Sequence, residues 1–207
     1  MPPSEKIAVG GIGLGSRGFV DLRTFLEEPD VQFVAVCDVR AGRREHAKKA
    51  VDAKYGNQDC ATYRDLRDLL ARPDIDAVLI ATKINWHGLA SILAAKAGKD
   101  VYCEKPCTKS IAESLALAET FRRTGRVFQA GTQRRSIPHF MFAVELARTQ
   151  PRANADVACQ THIACHAANI AIFLGRKLKY DPDQNAFIGD DEANRHRGEA
   201  LRAPWRL

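Results

Sequence analysis

Gly13-Leu14-Gly15-Ser16-Arg17-Gly18 reads G-x-G-x-x-G. Glycines at that spacing allow a tight turn, let main-chain N–H groups approach a pyrophosphate, and let a helix lie close against a strand. The six residues follow the apolar run Ile7 to Gly11 and precede a segment in which Phe19, Val20, Leu22, Phe25 and Leu26 fit one helix face. Asp38 comes roughly 20 residues later at the end of a second apolar run, where a carboxylate accepts hydrogen bonds from both hydroxyls of a ribose. The chemistry these residues suit is the binding of a dinucleotide. NAD is the expected cofactor, and NADP stays open because Arg40, Arg43 and Arg44 could take a 2′-phosphate that Asp38 would repel.

A second informative stretch is Gly98-Lys99-Asp100-Val101-Tyr102-Cys103-Glu104-Lys105-Pro106. Glu-Lys-Pro at the carboxyl end of a parallel strand lies where open α/β sheets place their ligands, so Lys105 is positioned to donate to a substrate oxygen beside a nicotinamide. Pro106 would fix the turn, with a cis bond one way to do so. In isolation Glu104 and Lys105 would be an ordinary solvated ion pair. Cys103 and Cys107 read as strand and turn residues rather than a redox pair, which prefers C-x-x-C. Cys159, His162, Cys165 and His166 are four soft ligands within eight residues, with His162 and His166 on one helix face. One helix rarely offers four ligands to a single tetrahedral ion, and the spacing matches no usual finger, so no metal site is expected. Arg134 and Arg135 are either phosphate or substrate contacts or solvated surface.

The elements that must hold these residues alternate. Strands are expected at Ile7–Gly11, Val31–Val39, Ala77–Ala81, Asp100–Cys103 and Val127–Gly131, with helices over 41–54, 63–71 and 86–97 and a further helix marked by Ile111, Leu115, Ala118 and Phe121. Short apolar strands separated by helices of ten or more residues form a parallel sheet through right-handed crossovers, so residues 1–148 are expected to be one doubly wound α/β domain of Rossmann type. Residues 149–161 read as a linker or joint. Residues 162–207 read as a helix and an irregular tail that must lie on the sheet domain, anchored by Phe187, Ile188 and Trp205.

Among the 207 residues, 45% are hydrophobic and 27% charged, which excludes disorder as the dominant state. No window approaches the ~18 uninterrupted apolar residues of a membrane span. Met1 to Lys6 enters the first strand without a charged-then-apolar leader, so a cytoplasmic protein with reduced thiols is expected. The formal charge of +6 lies wholly beyond residue 121. It forms no Lys/Arg run interleaved with aromatics, so an anionic small molecule is a better partner than nucleic acid.

GLGSRG, the CD pair ending at Asp38, and GKDVYCEKP together resemble the Gfo/Idh/MocA oxidoreductases. So do Tyr63-Arg64-Asp65, Thr82 with Trp86-His87, and Gly131-Thr132-Gln133-Arg134. The resemblance spans residues 7 to about 148 and resumes from about His162, where HAANIAIFLGRKLKYDP, IGDDEAN and APWRL are similar to the extreme C-terminus of the bacterial branch. It implies NAD or NADP in the first domain and a sugar, cyclitol or related polyol as substrate. Gly13, Gly15, Ser16, Arg17, Gly18, Asp38 and Arg40 would hold the ribose and phosphates. Thr82, Trp86, His87, Glu104 and Gln133 would stand on the nicotinamide side, with Lys105 at the reacting carbon. Two departures matter. The family's Thr-Pro-Asp-His-Trp-His is replaced by Thr82-Lys83-Ile84-Asn85-Trp86-His87. The family's second, mostly antiparallel domain should lie between Arg148 and His162, where about a dozen residues stand. The expectation is an oxidoreductase with its middle removed; the rival is a dinucleotide-binding module that kept the cofactor site and lost catalysis. The sheet face left uncovered would favour self-association into a homo-oligomer.

Overall fold

The computed structural model describes residues 5–133 and 155–198. Its centre is a six-stranded sheet made of β1 (Ile7–Ile12), β2 (Val31–Cys37), β3 (Ala61–Tyr63), β4 (Ala77–Ile80), β5 (Asp100–Glu104) and β6 (Phe128–Gly131). The strands lie in the order β3-β2-β1-β4-β5-β6, and every neighbouring pair is parallel. Between them run α1 (Ser16–Phe25), α2 (Ala41–Tyr55), α3 (Leu66–Leu70), α4 (Ile84–Lys96) and α5 (Ile111–Thr124). Successive strand side chains face opposite sides, so a central strand covered on both faces is apolar throughout. In β4, Val78 and Ile80 enter a core with Leu117 and Phe121, while Leu79 enters the opposite core with Leu22 and Val51. The result is a doubly wound α/β fold. The chain order reverses at β1 and β4, so the carboxyl ends of those two strands open a crevice.

Beyond the undescribed segment come α6 (Ala155–Leu174), a hairpin of β7 (Tyr180–Asp181) and β8 (Ala186–Phe187), and α7 (Asp191–Arg195). These pack on the outer face of α5 through Ile111, Ala118, Cys159, Ile163, Ile170, Phe187 and Ala193. The helix expected around 162–175 therefore begins earlier, and residues 155–161 of the expected linker are its first two turns, with Ala158 and Cys159 buried. Polar Gln160 and Thr161 hid that start, because they occupy the exposed side of the helix. Phe187 anchors the tail as expected, whereas Ile188 is 60% exposed, since strand alternation turns it to the other side. Trp205 and residues 149–154 lie outside the described residues. β3 was not expected at all; three residues give no period to read. By length and composition α6 could cross a membrane, a feature that Gln160, His162, His166 and Asn169 mask in a search for uninterrupted apolar runs. Here one of its sides is packed on α5, while Ile172 and Phe173 stand exposed.

Candidate cofactor site

The turn after β1 is built by its glycines. Gly13 has φ +82, and a Cβ there would lie 2.5 Å from the Thr82 nitrogen. A Cβ on Gly18 would fall 2.1 Å from the Gly13 carbonyl oxygen. Neither position accepts a side chain, so α1 and the loop after β4 close on the turn as tightly as main chain permits. Helix α1 starts at Gly15 without a side-chain cap and carries no acidic residue in its first turn. Its first N–H groups and the positive end of its dipole are left for an anion.

Asp38 is fixed at the end of β2. Its Oδ2 accepts the Leu14 N–H at 2.9 Å and its Oδ1 accepts the Arg40 N–H at 2.9 Å. Arg44 Nη1 donates to the Asp38 carbonyl at 2.6 Å, and Arg43 Nη1 stands 3.7 Å from Oδ2. The carboxylate thus ties the second strand to the glycine turn and presents its remaining lone pairs at the crevice.

Together these walls enclose a cavity of about 870 Å³. Gly13, Gly15, Ser16, Arg17, Asp38, Arg40, Thr82 and Trp86 line it, eight of the thirteen residues expected to hold the cofactor. Arg43, Arg64 and Lys83 also line it, so five basic side chains face three acidic ones, Asp38, Asp65 and Asp68. The sequence reading did not assign Arg64 and Lys83 to the site; their signal is that each follows closely after the end of a parallel strand. A cleft of this size with a basic surplus, an uncapped helix start and a carboxylate at its ribose end fits a dinucleotide.

The other five expected residues are not on the cavity wall. Gly18 lies beneath the turn. His87, only 3% exposed, spans two loops, with Nδ1 2.6 Å from the Pro106 carbonyl and Nε2 2.9 Å from the Thr82 carbonyl. It forms a strut between the ends of β4 and β5. Glu104 is likewise buried: Oε1 accepts from Arg17 Nε at 3.1 Å and from the Gln133 side-chain amide, and Oε2 from the Lys105 N–H at 3.2 Å. Its ion-pair partner is therefore Arg17 and not Lys105. The Lys105–Pro106 bond is cis, and Lys105 is exposed at the carboxyl end of the sheet. Arg134 and Arg135 lie outside the described residues.

The cysteine and histidine set disperses. Cys159 is in the α5–α6 core and Cys165 is exposed, while His162 Nε2 accepts the Cys107 N–H at 2.8 Å. Among the described residues no group of three or more His, Cys, Asp or Glu side chains converges as metal ligands would. The neighbouring Cys103 and the His162 ring draw the Cys107 thiol down to about 6, and burial holds Cys103 well above the usual thiol range.

Residues 7–132 match the family model for the oxidoreductase family with an NAD-binding Rossmann fold, GFO_IDH_MocA. The chain belongs to the Gfo/Idh/MocA oxidoreductase family. Residues 129–207 match that family's C-terminal alpha/beta domain. Among curated relatives, the Gfo/Idh/MocA chain described here is 35% identical over 137 residues to the scyllo-inositol 2-dehydrogenase (NAD(+)) of Bacillus subtilis, a match covering 66% of this chain and 38% of the relative. It is 38% identical over 126 residues to a glycosyl hydrolase family 109 protein of Saccharopolyspora erythraea, covering 59% and 27%. Of the solved structures, scyllo-inositol dehydrogenase from Lactobacillus casei with bound NAD(H) and scyllo-inositol matches with a TM-score of 0.62 at 25% identity, covering 69% of this chain and 41% of that one. Myo-inositol 2-dehydrogenase from Lactobacillus plantarum matches at 0.61 and 27%, covering 69% and 41%. The chain matches about two fifths or less of the length of these relatives.

Proposed function

We propose that this chain holds NAD(H) in the crevice between the ends of β1, β2 and β4, and that it serves the oxidation or reduction of a cyclitol, sugar or related polyol. The observation that carries the reading is Asp38, locked by the glycine turn and by the start of α2 at the place where a ribose diol would meet it. Residues of the turn and the α1 start would hold the pyrophosphate, with Arg17 beside it; Thr82 and Trp86 would border the nicotinamide. NAD is favoured over NADP because a 2′-phosphate would be set against the Asp38 carboxylate, although Arg40 and Arg43 lessen that repulsion.

When bound, a nicotinamide supplies hydride exchange with a carbinol carbon. The protein's share is orientation and proton handling. Lys105, exposed beside the buried Glu104, would hold or pass the hydroxyl proton of the reacting alcohol. His87 keeps the Lys105–Pro106 turn in register with the Thr82 loop. The relatives named above for inositol support the polyol class as substrate. Titration of the purified chain with NADH and NADPH by calorimetry, followed by a screen of cyclitols and sugars at the NADH absorbance band, tests the reading. Saturable binding with NADH the tighter ligand supports it; absence of binding to folded protein overturns it.

A further inference from the structure

Helix α1 carries a carboxylate that the cofactor reading leaves unused. Asp21 is 4% exposed, on the inner side of the helix one turn after Arg17, and Glu104, also 4% exposed, comes up to it from β5. Arg17 is shared between them: its Nη2 pairs with Asp21 Oδ1 and its Nε donates to Glu104 Oε1 at 3.1 Å. The same guanidinium is half exposed and lines the cavity at the start of α1. Asp21 Oδ2 is buried with no hydrogen-bond partner among the described residues, and the Glu104 carboxyl is a neighbour of the Asp21 carboxyl. Two buried carboxyls that share one guanidinium, one of them with an oxygen lacking a donor, form the arrangement that one added proton completes. Burial and the adjacent Glu104 raise the Asp21 carboxyl to about 6 even with Arg17 in place. Among the described residues the other titratable group facing it is Tyr102 of β5, whose phenol burial and Asp21 push upward and so keep neutral; Gln133, beyond β6, contributes only an amide.

We propose that Asp21 is a further residue of the cofactor site, forming with Glu104 a buried carboxyl pair that takes up a proton from solvent when the phosphates of a bound dinucleotide draw Arg17 toward them. One cation serves two anionic clients. Losing even part of its charge leaves two buried carboxylates facing each other, and a proton on Asp21 is what relieves that repulsion. By linkage, cofactor binding then tightens as pH falls, by up to about tenfold per pH unit for one full proton. The inference rests on the crevice being the dinucleotide site.

The test is calorimetric titration of the full chain with NADH in buffers of different ionisation enthalpy between pH 6.5 and 8.5. NADH is the probe because the 2′-phosphate of NADPH itself titrates near pH ~6. The expected result is a binding enthalpy that varies linearly with buffer ionisation enthalpy, with net proton uptake at pH 6.5 to 7 that fades toward pH 8.5. In Asp21→Asn, checked for its fold by circular dichroism, the NADH that still binds does so without proton uptake. NADH binding by the natural chain with an enthalpy independent of buffer overturns the proposal and leaves the cofactor reading intact, whether or not the variant folds. Uptake undiminished in folded Asp21→Asn overturns the assignment to this pair. Absence of NADH binding overturns the cofactor reading and this proposal with it.

Discussion

Replacing Asp38 with alanine separates two roles that the structure gives to one carboxylate. In the free protein its oxygens accept the Leu14 and Arg40 N–H groups, both at 2.9 Å, and the Leu14 bond is buried. Removing the acceptor strands the buried Leu14 N–H, at a cost of about 1–3 kcal/mol, while the Arg40 N–H can turn to water for much less. A stability loss of about 2 kcal/mol is expected on that basis, read as a lower urea midpoint with unchanged m-value. The bound ribose loses its acceptor as well, so NADH binding should weaken by a further ~1–3 kcal/mol, roughly 5- to 150-fold. Asp38→Asn should not rescue either effect fully, because its amide nitrogen would confront a backbone N–H. Urea unfolding and NADH titration of the three proteins check both numbers. An alanine variant with the natural urea midpoint and NADH affinity would refute the reasoning.

Gly18→Ala should destabilise the chain by about 1–3 kcal/mol and abolish measurable NADH binding, because its Cβ would overlap the Gly13 carbonyl; thermal melts with and without NADH read both. His87→Ala leaves the Thr82 and Pro106 carbonyls without their ring contacts and opens a cavity, so a loss of about 2–4 kcal/mol in urea unfolding is expected, and none at all would contradict the strut role. Asp21 is raised in the folded protein from 3.8 to about 6, so the native state binds more protons than the unfolded chain between those values, and Asp21 becomes progressively unfavourable for folding as pH rises through that window. Asp21→Asn should therefore gain stability relative to the natural chain from about pH 4 to about pH 6 and hold that gain above; a difference independent of pH would count against it. With Lys105 exposed among the described residues, water reaches the reacting face, so polyol turnover by this chain alone should be far below ordinary enzyme rates; fast turnover that disappears in Lys105→Ala would contradict this.

What the sequence made legible follows from local rules. A G-x-G-x-x-G between an apolar strand and an amphipathic helix, with an aspartate at the next strand end, is a constellation whose parts constrain one another, and Gly13, Asp38 and Thr82 do meet at one crevice. Long strands and helices were readable because burial on both faces makes β4 apolar throughout, as β1 and β2 largely are. Features set by tertiary contact were not. Glu104 next to Lys105 reads as a solvated pair, yet its partner is Arg17, far away in the chain, brought close by the β1–β4–β5 order. His87 at a helix start reads either as a nicotinamide contact or as a structural residue, and no spacing shows that its ring bridges the Pro106 and Thr82 carbonyls. Asp21 belongs to no motif in the sequence. Its spacing of one turn from Arg17 was the only local hint that both lie on a side of α1 turned to the sheet.

The central claim, that the crevice at the carboxyl ends of β1, β2 and β4 takes a dinucleotide, is tested most directly by following backbone amide resonances of the labelled chain during NADH titration. Saturable shifts are expected at Gly13, Gly15, Ser16, Arg17 and Gly18, at the Arg40 amide bonded to Asp38, and around Thr82 and Trp86, with α7 (Asp191–Arg195) unmoved. Amides of the glycine turn that stay fixed at millimolar NADH, or shifts confined to α6 and the hairpin, would contradict it.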